Sequence, residues 1–88
     1  MGRLGLTNKE RSPYFGALQT LVDDVFQYGD EVRRLDVVLA AESSDLPEDL
    51  QEVVGLLPPG TYTRERLCGQ LNSIINGHAW GQVYGTVV

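Results

Sequence analysis

The chain has 88 residues, room for one domain, and at that size only about 60–65 % of the unfolded surface is buried on folding. Twelve acidic against seven basic residues leave a net charge of -5, which argues against a broad electrostatic footprint for nucleic acid and against adsorption to an anionic membrane. One cysteine and one histidine exclude an internal disulfide framework and a zinc set, and no apolar run is long enough for a membrane span or signal peptide, so the chain is expected to be cytoplasmic. No internal repeat is legible.

In chain order, Met1 to Arg11 carries Arg3, Lys9 and Arg11 among Gly2, Gly5 and Asn8 and reads as an extended arm, with Arg3 to Thr7 able to pair as a short strand. Ser12-Pro13 is an N-cap followed by proline at N1, and Gly29 stands where a C′ glycine closes a helix. The first helix is therefore predicted over Pro13 to Tyr28, with Tyr14, Leu18, Leu21, Val25 and Tyr28 as its stripe and Phe15, Val22 and Phe26 beside it. Asp30 is read as the cap of a second helix that runs to Glu42. Its inward face is expected to be Val32, Leu35, Val38 and Leu39, which leaves Val37 off the stripe.

Ser43-Ser44-Asp45 breaks the pattern. Asp45 and Glu48 then have capping-box spacing, and Leu46, Leu50, Val53, Val54 and Leu57 give the third helix its apolar face, with Asp45, Glu48, Asp49 and Glu52 opposite. The stretch Leu57-Pro58-Pro59-Gly60-Thr61-Tyr62-Thr63-Arg64-Glu65-Arg66-Leu67 is the corner on which the chain is organised: two prolines and a glycine stop one helix, Thr63 caps the next, and Tyr62 and Leu67 have the spacing of a hydrophobic staple. The fourth helix runs from Arg64 to Asn76, burying Leu67, Leu71, Ile74 and Ile75, with Gly69 in its middle taken as a point of close packing. From His78 to Val88 the pattern changes to period two, which reads as a β-strand with Trp80, Gln82, Tyr84 and Thr86 on one side.

The fold class expected is mainly α: a compact four-helix domain (12–77) with a C-terminal β-strand (78–88), open to pairing with the arm (1–11), a second copy or a partner. No enzyme is expected. Cys68 and His78 are the sole nucleophile and base candidates, nothing in their spacing demands contact, and Asp23 and Asp24 diverge by about 100° on a helix. No cofactor, metal or catalytic residue is assigned. The function expected is that of a small acidic protein-interaction or regulatory module with a basic protein partner and, through the terminal strand, a second copy of itself as an option. Two alternatives stand beside it: a winged helix-turn-helix-like nucleic-acid-binding regulator, disfavoured by charge, and an acidic inhibitor in the basic groove of a DNA-handling enzyme. The partner-binding candidates are Glu48, Asp49, Glu52, Arg64, Arg66, Trp80 and Tyr84.

Overall fold

The computed structural model describes residues 15–78 and 84–88. Among these run, in chain order, α1 (Ala17–Val25), β1 (Glu31–Arg33), α2 (Arg34–Ser43), α3 (Glu48–Gly55), β2 (Thr61–Thr63) and α4 (Arg64–Gly77). The domain is compact and mostly helical, with the four helices that the periodicity predicts. Its β structure lies elsewhere than expected.

The third-helix stripe is entirely inside: Leu46, Leu50, Val53, Val54 and Leu57 are all buried. They meet Leu18, Leu21 and Val22 of α1 and Leu67, Cys68, Leu71 and Ile75 of α4 in one core, which is what three- and four-residue apolar spacing produces when helices pack on one another. The corner also forms as its chemistry dictates. Thr63 Oγ1 accepts a hydrogen bond from the Arg66 amide at 3.3 Å, and α4 begins at Arg64. Tyr62 and Leu67 are both buried, and the Tyr62 hydroxyl donates to the Pro58 carbonyl. Gly60 has φ 146°, a conformation open to glycine and strained for any residue with a Cβ.

The sheet consists of two three-residue strands paired antiparallel, with Glu31 opposite Thr63, Val32 opposite Tyr62 and Arg33 opposite Thr61. Such a pair is marginal by itself. It holds because its central residues, Val32 and Tyr62, both point into the core and because each strand runs directly into a helix. The second helix accordingly starts at Arg34, with Arg33 and not Asp30 at its cap, and its phase differs from the expected one. Val37 and Ala41 are buried, whereas Leu35 and Leu39 are 59 % and 51 % exposed. Once Val32 is committed to the sheet, the strand direction decides which way α2 faces, and the bulkiest stripe does not.

Two further boundaries shift. Pro47 occupies the N-cap position of α3, and Asp45 stands at φ 55°, so the expected Asp45–Glu48 capping box does not form. Helix α1 ends at Val25, which leaves Tyr28 in the following loop, 93 % exposed. The expected arm (1–11), the Ser12-Pro13 cap and Tyr14 lie outside the described residues. At the other end, Tyr84–Val88 contains no strand.

A repeat emerges that the residue letters conceal. Helix, three-residue strand and helix occur twice (α1, β1, α2, then α3, β2, α4), and burial follows the same order in both. Leu18, Leu21 and Val22 match Leu50, Val53 and Val54; Val32 matches Tyr62; Val37 and Ala41 match Leu67 and Leu71. Arg34 and Arg64 each stand first in the helix after the strand, and each reaches the first helix of the other unit. Arg34 donates to the carbonyls of Leu57 (2.8 Å) and Gly55 (2.7 Å) at the end of α3, where a cation also meets the negative end of the helix dipole. Arg64 pairs with Asp23 of α1.

Replacing Arg34 by alanine leaves the last carbonyls of α3 without these donors and should lower stability by about 1–3 kcal/mol, with lysine restoring only part of it because the planar fork is lost. Chemical denaturation of the two variants reads this directly. Gly69 behaves in the opposite sense: a Cβ built there meets nothing within 4 Å, so close packing is not the reason for the glycine, and Gly69→Ala should raise stability by roughly 0.5–1 kcal/mol.

Candidate functional site

The end of α1, the loop after it, and the β1–α2 junction enclose a groove of about 410 Å³, lined by Asp24, Val25, Tyr28, Gly29, Glu31, Val32, Asp36 and Ala40. Its floor is apolar, from Val25, Val32 and Ala40. Its rim is three carboxylates. Asp36 is fixed at the third position of α2, where its Oδ2 accepts the Arg33 amide at 2.8 Å. Glu31 points outward because Val32, next to it on the strand, points in. Asp24 faces the groove because its neighbour Asp23 is turned to Arg64, the divergence that adjacent helix positions impose. Among the described residues, none of the three has an ion-pair partner, and Arg33 stands on the same outward side of β1 as Glu31. No three His, Cys, Asp or Glu side chains of the described residues lie close enough together to hold a metal ion. The groove thus combines an apolar floor with a carboxylate rim, and the exposed Tyr28 ring stands at its edge.

The partner-binding candidates do not gather on one face. Glu48 and Glu52 are exposed on α3, but the Asp49 carboxylate accepts the Tyr84 hydroxyl at 3.0 Å, and Tyr84 is buried. Arg64 is engaged by Asp23 and by the Val88 carbonyl, at 3.2 Å from Nε and 3.1 Å from Nη2. The Arg66 guanidinium lies over the Tyr62 ring, 5.8 Å from its centroid, and Trp80 falls outside the described residues. Sequence reasoning missed Asp24, Tyr28, Glu31 and Asp36 as a group. The signal that could have found them is the alternation of Glu31, Val32 and Arg33, a strand too short to announce itself.

The tail is held by side chains rather than by a sheet. Asn72 exchanges two hydrogen bonds with Val87, donating from Nδ2 to its carbonyl (2.8 Å) and accepting its amide at Oδ1 (2.7 Å). Gln19 does the same for Val88, at 3.0 and 2.9 Å. The Gly16 amide donates to the Tyr84 carbonyl at 3.1 Å. Gly85, at φ 85°, lies against the Phe15 ring, where a Cβ would come within 3.3 Å of it. These amides thus supply the partners that a buried backbone segment requires, and the described tail carries no open strand edge for augmentation.

Cys68 is buried in the core. Burial pushes its thiol above the usual range, with Arg64 offsetting this in part, which is the reverse of nucleophile activation. His78 stands at the C-cap of α4. Among the described residues no helix is long and apolar enough to cross a membrane. No protein-family model matches the chain, and comparisons with curated proteins and with solved structures returned no match.

Tyr84 and Cys68 generate a pH prediction. The Tyr84 hydroxyl is raised above its ordinary 10.0, first by burial and then by its bond to Asp49, and the Cys68 thiol lies above its ordinary 9.0. Both groups keep protons in the folded chain that the unfolded chain releases, so their contribution is fully present below about pH 9 and is lost as pH rises through the folded-state values. Melting temperatures should fall from about pH 9 upward, and Tyr84→Phe, which keeps the ring and removes the titration, should flatten that fall.

Proposed function

We propose that this protein is a small acidic, non-catalytic interaction module that receives a basic segment of a protein partner in the groove between α1 and α2. The observation that carries this reading is the combination of an apolar floor with three rim carboxylates, none of which has an ion-pair partner among the described residues. A carboxylate rim of this kind attracts a cationic segment from a distance and fixes its register, while the floor accepts the alkyl stems of lysine or arginine. The net charge of -5 supports the same sign of partner. A free and buried cysteine fits a reducing, cytoplasmic setting.

The helix-turn-helix alternative draws on Arg64 and Arg66, and the intramolecular engagement of both side chains weighs against their serving as phosphate contacts. The inhibitor alternative remains one form of the same reading, since a basic enzyme groove is one kind of cationic partner.

An oligo-arginine peptide titrated into isotopically labelled protein tests the reading. Amide shifts should centre on Tyr28, Gly29 and Val32 and weaken with salt, and Asp24→Asn with Glu31→Gln should reduce affinity by about fivefold or more. Glu48→Gln with Glu52→Gln should have little effect. Shifts centred on α3, and sensitivity to its carboxylates instead, would replace the groove by the outer face of that helix.

A further inference from the structure

The two helix–strand–helix units provide an internal control on α2. At the outward positions where α2 carries Leu35 and Leu39, α4 carries Glu65 and Gly69, all of them exposed. The architecture thus places no demand for an apolar residue at either position, and α4, which is longer, packs without one. The two leucines are one turn apart and form a continuous ridge. On the helix circumference, Leu39 lies about 60° from Asp36 and about 40° from Leu35, so the ridge begins beside one of the three carboxylates of the groove rim. Glu42, one turn beyond Leu39, borders its far side.

From this arrangement we infer that the Leu35–Leu39 ridge and the acid-rimmed groove form one docking surface, and that its occupant is an amphipathic basic helix of a partner protein. The inference rests on the groove reading above and specifies the partner further. An apolar stripe on the incoming helix covers the two leucines, and lysine or arginine on its flank reaches Asp24, Glu31 and Asp36. Charge selects this occupant over a second copy of the chain, because a two-fold contact through this face would set Glu31, Asp36 and Glu42 of one copy against the same carboxylates of the other. An extended basic peptide satisfies the rim alone and leaves the ridge exposed.

The test uses the full chain and two synthetic peptides of identical lysine and leucine content, one with leucines at helical spacing and one scrambled. Expected is tighter binding of the patterned peptide by about tenfold, with methyl shifts at Leu35 and Leu39, and loss of that preference in Leu35→Ser with Leu39→Ser, whose positions are exposed and whose melting temperature serves as the folding control. Equal binding of both peptides with shifts confined to the groove overturns the helix assignment and leaves the groove reading standing. Oligo-arginine failing to engage the groove while the patterned peptide still shifts the leucine methyls overturns the groove reading and with it the combined surface. A mass that rises with protein concentration and returns to that of the monomer in the serine variant makes a second copy the occupant. Tighter peptide binding in Lys9→Glu with Arg11→Glu makes the amino-terminal segment of the chain itself the occupant, and either result overturns the proposal.

Discussion

The contact on which the architecture depends is the crossing of Val32 and Tyr62. Two strands of three residues contribute few ladder hydrogen bonds, and a pair so short gains its stability from what its inward side chains bury. Because both central residues enter the core, the strands act as a pivot that sets the direction of the helices leaving it. The Arg34 amide bonds the Gly60 carbonyl at 3.1 Å beside this pivot, and its guanidinium closes the end of α3. One residue therefore ties the strand pair, the start of α2 and the end of α3 into a single unit.

The near-repeat distributes that burden unevenly. In the second unit the apolar residues are large and inward, with Leu67, Leu71 and Ile75 on one face of a long helix. In the first, α2 buries only Val37 and Ala41 fully and turns its leucines outward. A helix whose inner face is small sits close to its neighbours, and its stability depends on what packs against it rather than on its own amphipathic pattern. The carboxylates of the groove rim stand on this side of the molecule, whereas Asp23, one residue from Asp24, is neutralised by Arg64. Adjacent acids on one helix thus have different roles, one holding two elements together and one left to solvent.

The tail illustrates the cost of ending a chain segment against a core without a sheet. Its amides and carbonyls are desolvated near Val87 and need partners. The side-chain amides of Gln19 and Asn72, each able to donate and accept in one plane, meet both groups of a residue at once. Tyr84 then links this segment to α3 through Asp49, which converts a residue of the acidic outer face into a structural anchor.

Much of this was determined by local chemistry and could be read from the residues alone. The stripe from Leu46 to Leu57 could bury only one face, and the Pro58-Pro59-Gly60 block had to end a helix. Thr63 could begin the next at Arg64, and the four helices follow from these local demands. Their orientation was decided by the tertiary structure. A three-residue strand carries too few alternating positions to be told from the first turn of a helix, so Glu31–Arg33 was read as helix and the phase of α2 shifted with it, exchanging Val37 and Ala41 for Leu35 and Leu39 on the inside. The same ambiguity hid the groove, whose carboxylates come from a helix end, a strand and a helix start that only the Val32–Tyr62 pairing brings together. Period-two alternation in the tail did not carry through to burial, since Tyr84 and Gly85 are both inside and Thr86, expected on the side of Tyr84, is exposed. It could not say whether a neighbouring strand or the amides of Gln19 and Asn72 would satisfy the backbone, because a hydrogen-bond partner distant in sequence leaves no mark on local periodicity.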